Sequence, residues 1–87
     1  MNIIIIEHAR RRMTKRGTSE EEIKTALEKG QEVEAKKGRK AKEKVFPFNK
    51  SRRGTFYPEK KVKVIFVEEE RKIVVITVYV CYGEWGG

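Results

Sequence analysis

Ile73-Val74-Val75-Ile76-Thr77-Val78-Tyr79-Val80-Cys81-Tyr82 is the longest run in the chain without a charge, a glycine or a proline. Its β-branched and aromatic content suits a pleated strand, because branched side chains lose χ1 freedom in a helix. The period-two split predicts Val74, Ile76, Val78, Val80 and Tyr82 on one face and Ile73, Val75, Thr77, Tyr79 and Cys81 on the other. Both faces are largely apolar, the mark of a strand set inside a sheet. The first face is expected under helices. Thr77 and Tyr79 are expected to look out toward the basic middle of the chain.

Upstream of this run the elements alternate less strongly. Lys61 to Val67 reads as a strand with Val62, Val64 and Phe66 opposed to Lys63, Ile65 and Val67, and Glu68 to Lys72 as the turn between them. Lys42 to Phe48 places Lys42, Lys44, Phe46 and Phe48 on one face, with Pro47 arguing for an edge position. Glu32 to Lys37 pairs with it across a Gly38-Arg39 turn. Asn49 to Pro58 reads as a basic, glycine-containing connection, and Gly83 to Gly87 as a frayed tail.

The N-terminal third is helical. Ile6, Ala9 and Met13 fall on one stripe of a helix from Glu7 to Arg16, which Gly17 stops, and His8, Arg11, Arg12 and Lys15 fall on the opposite side. Ser19-Glu20-Glu21-Glu22 is a capping box for a second helix reaching about Lys29, with Ile23, Ala26 and Leu27 inward. Ile3 to Ile6 reads as extended structure. The expected fold is therefore α+β: two N-terminal helices packed on one face of a four-stranded, mainly antiparallel sheet, in a single domain of residues 1–87. The last strand needs a partner on its far side, for which the isoleucine run or the first hairpin is available.

Composition narrows the class. Hydrophobic residues make up 38% and charged residues 39% of the 87, every acid is Glu, and the heavy Lys and Glu load resembles that of hyperthermophile proteins. The one cysteine, Cys81, excludes an internal disulfide framework. The apolar run at Ile3 is too short for a signal peptide and is followed by positive charge, so a cytoplasmic protein with no membrane partner is expected.

The net charge of +8 is regional. From Lys36 to Lys63 twelve bases face two acids, while the remainder holds nine bases and eleven acids. Clustered cations without interspersed acids are what a polyanion needs. RNA or another nucleic acid is the expected partner. The bland alternative is a solvated Lys coat.

His8-Ala9, Arg12-Met13 and Arg16-Gly17, followed by Ser19-Glu20-Glu21-Glu22, resemble the N-terminal signature of a small prokaryotic family of unknown function (DUF4258), grouped with the RelE/ParE-like toxin fold. Val62 to Val67 and Ile73 to Tyr79 are similar to its closing hairpin. Ile6 stands where a Ser or Thr cap is common, and Thr18 where an apolar residue is usual. The resemblance covers most of the chain. It implies a RelE/ParE-like sheet with a helical hairpin against it, a relationship to mRNA endonucleases, and an acidic antitoxin-like partner.

Metal-free RNA cleavage needs a base for the 2′-hydroxyl, an acid for the 5′-oxygen and cations for the phosphorane charge. His8 is the only imidazole and the only group whose ordinary pKa suits both proton roles. The catalytic candidates are His8, Arg12, Arg16 and Tyr79. Arg11, Lys15, Lys40, Lys42, Lys44, Arg52 and Arg53 are candidates for nucleic-acid binding, and Phe46 and Phe48 for base stacking. Each has a structural alternative: a surface histidine, a solvated arginine face, a packed tyrosine, core phenylalanines. A metal centre is not expected from one His and no Asp, and no cofactor is expected. A non-catalytic nucleic-acid-binding module is the second reading, and an interaction protein the third.

Overall fold

The computed structural model describes residues 2–86. Strand β1 (Asn2–Ile5) runs into helix α1 (Glu7–Arg16) and helix α2 (Glu20–Lys29). Strands β2 (Gln31–Val33), β3 (Lys40–Arg52), β4 (Thr55–Glu69) and β5 (Lys72–Gly83) follow. They form one five-stranded sheet in the order β1-β5-β4-β3-β2. β1 is parallel to β5 and the remaining pairings are antiparallel.

The α+β class is as expected, but the sheet has five strands and is mixed. The fifth strand is the isoleucine run. It supplies the missing neighbour of β5, pairing Asn2 to Ile5 with Lys72 to Val75. The helix hairpin then carries the chain across one face of the sheet, from β1 at one edge to β2 at the other. α1 packs on β5, and α2 on β3 and β4.

The helices begin and end where local chemistry dictates. Ser19 accepts the Glu22 N–H at 3.2 Å and caps α2. Ile6 precedes α1 with no side-chain cap and packs against the core instead. Ala9, Met13, Ile23, Ala26 and Leu27 close over Val62, Val64, Phe66, Val75 and Val78.

Two expectations about the sheet are corrected. First, Val75 is fully buried and Ile73 packs on the core, whereas Val74 and Ile76 do not lie under the helices. The cause is a bulge: Ile65 pairs with Thr77 but Phe66 with Val75, so Ile76 has no opposite residue. One extra residue reverses the inward phase of everything before it. Val78 and Val80 keep their expected place on the helix side, and Thr77 and Tyr79 look away from it.

Second, Asn49 to Pro58 is a hairpin tip and not a connection. β3 continues to Arg52 and β4 starts at Thr55, joined by Arg53 (φ 52°) and Gly54 (φ 84°). Two successive left-handed residues match the twist of the flanking strands. The irregularity that Pro47 imposes is absorbed by a shift between Pro47 and Lys50, with Asn49 at φ 48°. The tail is also placed: the Trp85 N–H donates to Glu59 Oε1 at 2.7 Å, and Lys61 lies 4.8 Å from the Trp85 ring centroid. Gly87 lies outside the described residues.

Among the described residues no helix is long and apolar enough to cross a membrane.

Candidate functional site

Three strands converge on the end of α1. A helix leaves its last carbonyls without helical partners, and here three consecutive carbonyls accept from side chains of three different strands. Arg52 of β3 donates to the Lys15 carbonyl at 3.0 Å. Tyr82 of β5 donates to the Arg16 carbonyl at 2.6 Å. Lys60 of β4 donates to the Gly17 carbonyl at 2.8 Å. Gly17 itself turns left-handed at φ 86°, with its N–H returning to the Met13 carbonyl.

Lys60 is the one buried charged residue among the described residues, 7% exposed. Its ammonium lies 2.8 Å from Glu22 Oε1, and that carboxylate also accepts from the Thr18 hydroxyl at 2.9 Å. The Glu22 side chain therefore faces Lys60 and Thr18 while its backbone completes the cap of α2.

Tyr82 is the hub of the junction. Its ring packs against Phe48 at 5.0 Å and Tyr57 at 5.6 Å between centroids, with the Arg52 guanidinium 4.8 Å above it. Burial raises the Tyr82 pKa above its ordinary 10.0; Arg52 opposes this, Glu22 adds to it and Arg53 opposes it. The phenol remains a neutral hydrogen-bond donor.

Beside this junction opens a cleft of about 410 Å³. α1 contributes Arg12, Lys15 and Arg16, and the β3–β4 tip contributes Arg52, Arg53 and Tyr57, with Val80 and Tyr82 completing it. Five cations and no acid line it. None of the five is in ion-pair contact with a carboxylate among the described residues. Arg16 is held in place by the sheet edge. Because β1 ends opposite Val75, the rest of β5 has an open edge, and Arg16 Nη1 donates to the Val78 carbonyl there at 2.8 Å.

The sequence-predicted residues divide accordingly. Arg12, Lys15, Arg16, Arg52 and Arg53 come together in the cleft. His8 is exposed on α1 one turn before Arg12, on the same stripe but outside the cleft lining. Arg11 lies 3.6 Å from Glu7. Tyr79 faces the other side of the sheet, with the Arg16 guanidinium 4.9 Å from its ring centroid.

Three lysines of β3, Lys40, Lys42 and Lys44, make contacts within the chain. Lys40 donates to Glu68 at 2.6 Å, a bond that raises the Lys40 pKa and lowers that of Glu68. Lys42 donates to the Leu27 carbonyl near the end of α2 at 2.9 Å, and Lys44 sits 5.3 Å from the Phe46 ring centroid. Phe46 is half-buried against the core and Phe48 against Tyr82. Tyr57 and Tyr82 were not among the sequence candidates. Tyr82 ends the most apolar run, where it reads as packing, and Tyr57 sits in a stretch that reads as a loop.

Chemically, the cleft presents guanidinium forks and an ammonium to an anion, with two phenols beside them. Arginine forks match the oxygens of a phosphodiester. No histidine or carboxylate lines the cleft.

The sequence profile of a family described as a domain of unknown function (DUF4258) matches residues 5–80. No curated protein and no solved structure matches the chain.

Proposed function

Starting from the fact that the chain belongs to the DUF4258 family, we propose that it contacts RNA, gripping the phosphodiester backbone in the cleft between α1 and the β3–β4 tip. The observation that carries this reading is the set of five cations, Arg12, Lys15, Arg16, Arg52 and Arg53, converging without an acid among them. A thermophile's solvated coat intersperses opposite charges, and elsewhere this chain does so, as in Lys40 with Glu68 and Lys61 with Glu43. Like charges brought together repel one another, and a polyanion relieves that repulsion while releasing its counterions.

The topology supports the resemblance to RelE/ParE-like toxins. A helical hairpin follows a short edge strand, that strand lies parallel to the last one, and the cleft sits where helix and sheet meet. The finer reading is a metal-independent endoribonuclease. In it Arg12 and Arg16 hold the scissile phosphate and His8, one turn from Arg12, exchanges the protons. The lining supports binding more directly than cleavage, because Tyr82 is already committed to the Arg16 carbonyl and His8 must reach in from outside.

Two measurements test both levels. Affinity for a labelled RNA, followed across a salt series, should fall steeply with salt in the native chain and less steeply in an Arg12→Gln/Arg53→Gln variant. A flat salt response removes the RNA reading. Incubation with RNA in EDTA, with and without ribosomes, decides cleavage: products that disappear in His8→Ala establish the endoribonuclease, and their absence leaves a binding module. A cleft that ignores RNA but binds an acidic peptide belongs to an antitoxin-like partner.

A further inference from the structure

A second cavity, of about 660 Å³, lies on the face of the sheet that the helices leave uncovered. Its cations are Lys36 and Arg39, from the segment between β2 and β3, and Lys63 of β4. Its apolar wall is Ile65, and Thr77 and Tyr79 of β5 complete the side nearest the open strand edge. Glu34 is the one acid in the lining, and none of the three cations is ion-paired among the described residues.

Tyr79 is 47% exposed, an unusual state for an aromatic residue on an otherwise apolar strand. It is also the link between the two faces. Arg16 lines the cationic cleft on the helix side, yet its guanidinium crosses the edge of β5 and lies over the Tyr79 ring at 4.9 Å. Arg16 thus links the cleft, over an edge that β1 leaves open, to an exposed aromatic ring in a cavity lined by three further cations.

We infer that this second cavity takes the base of an unpaired nucleotide, stacked on Tyr79, from the same strand whose phosphates lie in the cleft. The inference rests on the cleft reading and narrows its substrate to single-stranded RNA. Two cavities on opposite faces of a sheet can be joined only by a chain that bends around the edge. A duplex is stiff and keeps its bases stacked inside, whereas a single strand bends and offers each base a free π-face. Arg16 then serves both sites, as phosphate ligand and as the group that holds Tyr79. Lys36, Arg39 and Lys63 meet the flanking phosphates, and Ile65 packs beside the base.

The test compares a labelled single-stranded oligoribonucleotide with a blunt-ended RNA duplex of equal phosphate number, by fluorescence anisotropy across a salt series. Tyr79→Ala should weaken single-strand binding by about five- to 150-fold, the range of one lost base stack, and leave the duplex unchanged. Tyr79→Phe keeps the ring and should keep the affinity. Arg39→Ala/Lys63→Ala should weaken the single strand selectively and flatten its salt response.

Equal losses on both RNAs would mean that Tyr79 acts only through Arg16, overturning the base site while the cleft stands. A loss confined to an oligoglutamate peptide would assign the cavity to an acidic protein segment and overturn it equally. A native chain that binds neither RNA removes the cleft reading and this site together.

Discussion

Tyr82 reaches from the last strand to the carbonyl of Arg16 and closes a 2.6 Å hydrogen bond on the end of α1. The acceptor is part-buried and has no helical partner. Tyr82→Phe keeps the ring against Phe48 and Tyr57 but leaves that carbonyl unanswered, at a cost of about 1–2 kcal/mol. In a domain of this size each 1 kcal/mol lowers Tm by roughly 4–8 °C. Thermal unfolding followed by circular dichroism checks it. An unchanged Tm would mean that water replaces the phenol without loss.

The same phenol sets a pH dependence. Its pKa is raised in the folded chain, chiefly by burial, so the folded state holds the proton where the unfolded state has released it. Stability from this group is complete below the unfolded value, about 10, and is lost as pH rises from there through the folded value. The difference in unfolding free energy between native chain and Tyr82→Phe should be constant from about pH 7 to 9 and shrink above about pH 10. Denaturant titrations of both proteins at matched pH isolate it from the lysines, which titrate in both. A difference that widens at high pH would reverse the assigned direction.

Gly17 and Gly54 separate two effects of a left-handed glycine. Both have φ near +85°, at 86° and 84°, so Ala at either costs roughly 1–2 kcal/mol in backbone conformation. A Cβ on Gly54 meets nothing within 4 Å, whereas one on Gly17 falls 2.5 Å from the Tyr82 hydroxyl and 3.1 Å from Arg52 Nη1. Gly17→Ala should therefore be the more damaging by about another 1 kcal/mol, the worth of a displaced hydrogen bond. Equal midpoints in urea would show that Tyr82 moves aside freely.

Lys60 answers two groups at once, Glu22 and the Gly17 carbonyl, each at 2.8 Å. Lys60→Met leaves both without it. Removing one partner of a fully buried pair costs about 3–5 kcal/mol. Glu22 retains the Thr18 hydroxyl and 24% side-chain exposure, which brings the expectation down to about 2–3 kcal/mol. Lys60→Met/Glu22→Gln should recover part of the loss, and a double-mutant cycle from denaturant midpoints measures how much. Strict additivity would show that the pair is not coupled.

What the sequence made legible follows from how local each signal is. Both helices are where Gly17, Ser19 and Gly30 place them, because caps and stops depend on residues within one turn. The need for a partner beside β5 was legible from its two apolar faces, and the isoleucine run supplied it. The bulge at Ile76 was not, since it is decided by what β4 presents across the ladder. Nor was the hairpin at Arg53-Gly54, whose surroundings of Asn, Ser and Pro read as a loop. Charge counting found the basic region but not which of its cations converge in the cleft. It gave Lys40, Lys42 and Lys44 the same weight as Arg52 and Arg53, although Lys40 is paired with Glu68 and none of the three lines the cleft that Arg52 and Arg53 share. Whether a cation is free is a property of the fold.

That distinction carries the last prediction. Arg53→Gln and Lys40→Gln each remove one positive charge, so a diffuse coat of charge would respond to them alike. Arg53 lines the cleft without an ion pair, while Lys40 is bonded to Glu68 at 2.6 Å. If phosphates are gripped in the cleft, Arg53→Gln should lower RNA affinity several-fold and reduce the slope of log K against log salt by about 0.7, the value for one single-strand phosphate contact. Lys40→Gln should leave the slope unchanged within error and weaken binding little, because an exposed charge outside the cleft is screened beyond about 10 Å at moderate salt. Anisotropy titrations across a salt series give both quantities. Matching slopes in the two variants would return the basic region to a solvated coat and remove the cleft as the RNA site.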